Sequence, residues 1–208
     1  MKLTRIIAAL EKLYGSMAPR VTDPFEMILL ENAAYLVDDA RRQETFERLR
    51  ESIGLTPAAI LERSPEEIAA AIAGGGMLKE HRAEKVMASA RLANKIGVSE
   101  KTLRKFPRVG EPYADRILLF IGKKVTLAPD SNALRVLLRL GYGEESKNYA
   151  KTYRSAVAAS AGEVRDAKFA LRAHMLLRRH GQELCRRSAP RCELCPLRGD
   201  CAWYKAKT

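Results

Sequence analysis

Long apolar runs are missing from this 208-residue chain. The longest, such as the Ile-Leu-Leu-Phe stretch at 117–120, are far too short to cross a bilayer core of about 30 Å. The opening residues carry charges among their apolar positions and lack a cleavage-site pattern, so no secretory leader is expected. Cysteine is absent before position 185, which excludes a disulfide framework for the body of the chain. Alternating apolar and polar residues between hairpin turns are missing too, as are repeats and low-complexity tracts. These absences argue against a β-sandwich, a solenoid and a disordered tail. The expectation is a soluble, cytoplasmic, all-α protein.

What is present is charge of one sign. Lys and Arg exceed Asp and Glu by 37 to 25, giving a net charge of +12. Such an excess bears on partners rather than on fold. Nucleic acid is the first candidate, because clustered cations release counterions from phosphates. A ribosomal or a membrane-surface protein would share the property.

Helical periodicity runs nearly throughout. Ile6, Ile7, Leu10, Leu13 and Tyr14 share one face. Asp23 is placed as an N-cap with Pro24 in the first turn, opening a segment to about residue 37 that is apolar almost all round. Thr56-Pro57 and Ser64-Pro65 repeat one device, a hydroxyl cap followed by proline, and Glu67 completes a capping box with Ser64. Ser99 is expected to cap a short helix reaching Lys105. Later helices are expected at about 130–140, 145–160 and 163–183.

The cysteines stand at 185, 192, 195 and 201, spaced C-x6-C-x2-C-x5-C. Four thiolates in one short loop can close round a metal centre. A structural zinc and two disulfides are the plainer alternatives. Only the central pair is close, whereas zinc knuckles use close pairs at both ends. Pro196 directly after Cys195 is a feature of iron–sulfur loops.

The spacing, with the His180-Gly181 approach to the first cysteine, resembles the [4Fe–4S] loop of the endonuclease III family of DNA glycosylases. The resemblance extends along nearly the whole chain. Phe106-Pro-Arg-Val-Gly-Glu-Pro-Tyr-Ala114 looks like the family's helix–hairpin–helix. Ala128-Pro-Asp130 looks like the segment bearing its catalytic aspartate, and the interval from Pro112 to Asp130 is the one the family shows between its two catalytic positions. The resemblance implies a two-domain fold. A six-helix domain would span 23–125, with the helix–hairpin–helix at about 99–122. Residues 1–22 and 126–208 would form an iron–sulfur domain, with Cys185, Cys192, Cys195 and Cys201 holding a [4Fe–4S] cluster.

It also implies roles for residues. Asp130 would be both helix cap and catalyst. Glu31 falls where the adenine-glycosylase branch has a catalytic glutamate that protonates the leaving base. Tyr35 and Tyr113 are pocket candidates. Leu36 stands where endonuclease III has a glutamine that fills the gap left by a flipped base; a core leucine is the other reading. Arg108, Val109 and Gly110 would grip a DNA phosphate, as would the loop cations Arg186, Arg187 and Arg191. Two departures stand out. Pro112 occupies the place of the lysine nucleophile of bifunctional members, so a monofunctional enzyme on double-stranded DNA is expected, as a monomer. Arg108 occupies a glycine position of the hairpin. Lys105, Lys123 and Lys124 are close in sequence to the lost lysine but do not match it. A bifunctional lyase and a catalytically silent DNA-binding protein are the rival readings.

Overall fold

The computed structural model describes residues 2–207. Eleven α-helices appear among the described residues, joined by short 3-10 turns, with one isolated bridge between Tyr35 and Gly76 and no strand. None of these helices is long and apolar enough to cross a membrane. The helices divide into two compact units, one spanning Val21–Gly110 and the other built from the segments on either side.

The first unit holds α2 (Pro24–Ala33), α3 (Asp39–Ser52), α4 (Pro57–Leu61), α5 (Pro65–Ala71) and α6 (Lys79–Ile96). Local chemistry sets their starts. The Asp23 carboxylate accepts from the amides of Phe25 and Glu26, each at 2.9 Å. Thr56 caps α4, and Ser64 with Glu67 forms the expected capping box on α5. Such caps are worth about 1 kcal/mol each. Ile28, Leu29, Phe46, Leu49, Ile60, Ile68 and Val86 are fully buried and make the core.

Two expectations fail here. The segment from Pro24 stops being helical at Ala33, because Ala34 turns extended and the Tyr35 amide donates to the Gly75 carbonyl at 2.8 Å. Tyr35 and Leu36 therefore lie beyond α2, not on it. The helix expected before the hairpin shrinks to one 3-10 turn, Leu103–Lys105. Thr102 Oγ1 accepts from the Ser99 amide at 2.8 Å and donates to Gly97 O at 2.9 Å. Its hydroxyl thus bonds locally instead of extending a helix.

The second unit holds α1 (Leu3–Tyr14), α7 (Glu111–Phe120), α8 (Ser131–Arg139), α9 (Tyr149–Ser160), α10 (Ala167–Glu183) and α11 (Ala202–Lys205). Its core gathers Leu3, Ile6, Ile7 and Leu10 with Leu134, Leu137, Tyr153, Leu176 and Leu177. Asn148 and Asp166 cap α9 and α10, starting both helices one turn later than the periodicity suggests. The unit boundary falls after Gly110 rather than near 125. The physical reason is Asp115 on α7. It is buried and accepts from Tyr153 Oη at 2.9 Å and from Lys124 Nζ at 2.6 Å, which ties α7 to α9.

Glycine closes the packing of α8 on α10. A Cβ on Gly181 would lie 2.6 Å from the Asn132 carbonyl oxygen, closer than any side chain tolerates. The His180-Gly181 pair noted in the sequence is therefore a close approach of two helices.

Candidate functional site

In the second unit, Asp130 is 6% exposed and stands at the N-terminus of α8. Its Oδ1 accepts from the amides of Asn132 at 3.1 Å and Ala133 at 2.9 Å. Its Oδ2 accepts from Arg178 Nη1, so a guanidinium from α10 closes over the carboxylate. Burial would push this acid up, but the charges of Arg178 and Arg116 and the Ala133 amide hold it well below the usual carboxylate range. His174 is also in this neighbourhood. It is 2% exposed, and burial, helped by the Arg116 charge, pushes it down to about 3, so it is neutral. The Phe120 ring meets its imidazole edge-on at 5.5 Å between centroids. Arg178, Arg116 and His174 were not singled out in the sequence. Arg178 lies 48 residues from its partner, a pairing that no local pattern announces.

Pro112 lies in the first turn of α7, followed by the buried Tyr113. The Arg116 guanidinium covers the Tyr113 ring at 5.0 Å. Lys124 is engaged with Asp115, while Lys105 and Lys123 are exposed.

In the first unit, Glu31 sits near the end of α2 and faces two cations. Arg42 Nη1 of α3 lies 3.5 Å from one oxygen, and Arg108 Nη2 lies 3.9 Å from the other. Arg108 has φ 61°, the left-handed conformation that a glycine would take without strain. Its guanidinium stacks on the Tyr35 ring at 4.8 Å. Next to it, Asn32 Nδ2 donates to the Pro107 carbonyl at 3.1 Å. The hairpin turn is thus stapled to α2, and Glu31, Tyr35 and Arg108 form one cluster. Val109 is buried at 4% exposure and its amide donates to Phe106 O at 3.1 Å, whereas Gly110 is exposed.

Leu36 is 73% exposed, with φ 55°. That exposure removes the core reading. On the neighbouring loop, Met77 is 64% and Leu78 60% exposed, and Leu78 also has a left-handed backbone, φ 58°. The Tyr35–Gly76 bridge holds the two loops side by side. Arg82 secures both. Its guanidinium donates to the carbonyls of Met77, Ile72 and Gly76, each at 2.9 Å, and to that of Ala33. Leu78 escaped the sequence reading because it follows a Gly-rich stretch and precedes a helix, where an apolar residue reads as a helix contact.

The four cysteines line one small cavity of about 20 Å³, together with Arg139, Arg198, Trp203 and Tyr204. None is in a disulfide. Arg139 Nη1 donates to Cys185 Sγ at 3.3 Å, and the Cys201 thiol donates to Arg139 O at 3.3 Å. Burial, reinforced by the thiols of Cys185, Cys201 and Cys192, pushes the Cys195 thiol up to about 11. A cationic centre among these thiols would relieve that crowding, since metal ligation deprotonates a thiol. Among the described residues no three ligand side chains close on a point suited to one metal ion. Four free thiols around one cavity are nonetheless a donor set whose chemistry suits a thiolate-ligated metal centre. Arg186, Arg187 and Arg191 are exposed on the loop. Arg186 Nε donates to Glu183 O at 3.1 Å.

No protein-family model matches the chain. Among curated proteins, endonuclease III of Thermotoga maritima is 25% identical over 197 residues, covering 89% of this chain and 86% of the relative. Endonuclease III of Rickettsia prowazekii is 27% identical over 154 residues, covering 72% and 69%. Among solved structures, a trapped covalent intermediate of endonuclease III with DNA superposes with TM-score 0.80 at 19% identity, covering 100% of this chain and 99% of the other. A thermostable thymine-DNA glycosylase gives TM-score 0.79 at 18% identity, with 98% and 97% covered. The chain is thus similar to endonuclease III along nine-tenths of its length, and it shares the all-helical fold of these solved structures.

Proposed function

We propose that the protein is a DNA repair glycosylase that flips a damaged or mispaired base from the duplex and hydrolyses its N-glycosidic bond. The observation that carries this reading is Asp130: a carboxylate kept anionic while buried, in a chain whose Pro112 offers no amine. The endonuclease III relatives, the DNA complexes among the structural neighbours and the charge of +12 support it.

The chemistry follows from these groups. The C1′–N bond breaks with its electron pair passing to the base, and the sugar becomes an oxocarbenium-like cation. The Asp130 carboxylate stabilises that cation and accepts a proton as water adds to C1′. Pro112 cannot form the imine that leads to strand cleavage. Glu31 is the second carboxylate of the proposal, with Arg42 and Arg108 fixing its orientation toward the departing base. Leu36 and Leu78 are the apolar side chains offered to the gap in the base stack. Gly110 in the hairpin and Arg186, Arg187 and Arg191 on the cysteine loop would meet phosphates, which set position rather than sequence choice. A [4Fe–4S] cluster held by Cys185, Cys192, Cys195 and Cys201 would supply structural rigidity to that loop.

The test is a panel of lesion-bearing duplexes, each assayed with and without alkali. Alkali-dependent cleavage, lost in Asp130→Asn, is expected. A borohydride-trapped adduct at high yield would point instead to a bifunctional lyase, although Lys124 is already committed to Asp115. One observation favours a second reading, a silent DNA-binding protein. Arg178 sits directly on Asp130 and opposes its field. No base release from any duplex would establish that reading.

A further inference from the structure

Nitrogen donors from two different helices reach sulfurs of the cysteine loop. From the last turn of α8, Arg139 Nη1 donates to Cys185 Sγ at 3.3 Å and to the Arg186 carbonyl at 2.8 Å. The Trp203 ring lies against this guanidinium, its centroid 4.3 Å from the central carbon. Stacking of this kind leaves the N–H groups free in the guanidinium plane, where the sulfur and the carbonyl meet them. One turn earlier, Arg135 Nε donates to the Cys185 carbonyl at 2.8 Å. The main chain of the first cysteine is therefore held without Arg139, and what Arg139 adds is a positive charge at the sulfur. From α10, His180 Nε2 lies 3.4 Å from Cys195 Sγ, and its Nδ1 lies 3.1 Å from Tyr14 Oη of α1. His180 is 1% exposed, and an imidazole so buried stays neutral, with a single N–H. A cysteine that ligates a metal has no proton to give. The imidazole N–H then sits on Nε2, and Nδ1 accepts from the Tyr14 hydroxyl.

We infer that Arg139 and the Tyr14–His180 pair tune an iron–sulfur cluster held by the four cysteines, drawing electron density from the sulfurs of Cys185 and Cys195 and so making the cluster easier to reduce. Hydrogen bonds and positive charge at ligand sulfurs stabilise the form that carries the extra electron. Arg139 brings a full charge and His180 only a dipole, so Arg139 weighs more. Tyr14 acts at one remove, by fixing which imidazole nitrogen carries the proton. The inference rests on the cluster reading of the cysteines and is independent of base release.

The experiment takes the full-length protein as purified and measures the potential at which its cluster accepts one electron from an electrode, with iron content determined alongside. Arg139→Gln should move that potential to more negative values. Arg139→Lys, which keeps the charge, should stay nearer the wild type. Tyr14→Phe should move the potential in the same direction as the glutamine variant, by less. Equal shifts in the lysine and glutamine variants would show that the shape of the loop, not charge, is responsible, and would overturn the proposal. Wild-type potentials in both the glutamine and the phenylalanine variants would overturn it too, and a shift in the glutamine variant alone would overturn the His180 half. If the glutamine variant assembles no cluster, Tyr14→Phe carries the test, and an unchanged potential there overturns the proposal. A wild-type protein that is colourless and holds zinc would instead sink the cluster reading, and the tuning with it.

Discussion

Gly181 of α10 faces the Asn132 carbonyl of α8 with no room for a methyl group between them, a Cβ there falling 2.6 Å from the oxygen. Asn132 is two positions along from Asp130, and its amide is one of the two that hold the Asp130 carboxylate. The close helix approach and the proposed catalytic geometry are therefore one construction.

Gly181→Ala should force α8 and α10 apart. The expected cost is about 1–3 kcal/mol, as for other over-packed sites, read as a lower urea midpoint. Base release should fall with it, because the cap of α8 shifts. An unchanged midpoint would show that the two helices are less tightly juxtaposed than described.

Asp130→Asn should destabilise the fold in a pH-dependent way. The folded-state pKa of Asp130 is depressed, so its ionic contribution is complete above the unfolded value of about 3.9. It is lost as pH falls through the depressed folded value. The stability gap between wild type and variant should therefore be constant near neutrality and shrink below about pH 4. Urea melts at neutral and acid pH test this; a gap that widens in acid contradicts it.

Arg108→Gly separates strain from function. A glycine relieves the left-handed backbone at φ 61°, worth about 1 kcal/mol, while the partly exposed pair with Glu31 contributes little to stability. The variant should melt at or above the wild-type temperature and yet release base at least ~10-fold more slowly, the loss of about 1.4 kcal/mol in the transition state. A variant that is both stable and fully active would show that the Glu31–Tyr35–Arg108 cluster has no part in the reaction.

Cys195→Ser should abolish the visible absorbance of the purified protein and loosen the loop, measured as faster proteolysis between residues 186 and 201. A colourless wild-type protein containing stoichiometric zinc would overturn the cluster assignment.

Much of this was legible because it is local. Asp23, Thr56, Ser64 and Asp130 act within one helical turn of themselves, and each stands where its hydroxyl or carboxylate implied a cap. The cysteine loop is equally local, and its four thiols do line one cavity. What escaped depends on distant partners. The end of α2 is set by Gly75, which lies beyond α3, α4 and α5 in the chain. The unit boundary is set by the Asp115–Tyr153 bond across 38 residues. Arg108 was anomalous in the sequence because its partner ring and carboxylate, Tyr35 and Glu31, lie at the other end of the same unit. Periodicity reports which face of a helix is apolar but not which charge it will meet.

Arg82 has a consequence of a different kind. Its guanidinium is spent on four main-chain carbonyls rather than on an acid. Carbonyls do not titrate, and arginine keeps its proton at any working pH. The bracket beneath Leu36 and Leu78 should therefore be indifferent to acidity, and its buried bonds little weakened by dissolved ions. The two leucines should therefore stay fixed in register through changes of ionic medium that weaken the exposed ion pairs elsewhere on the surface.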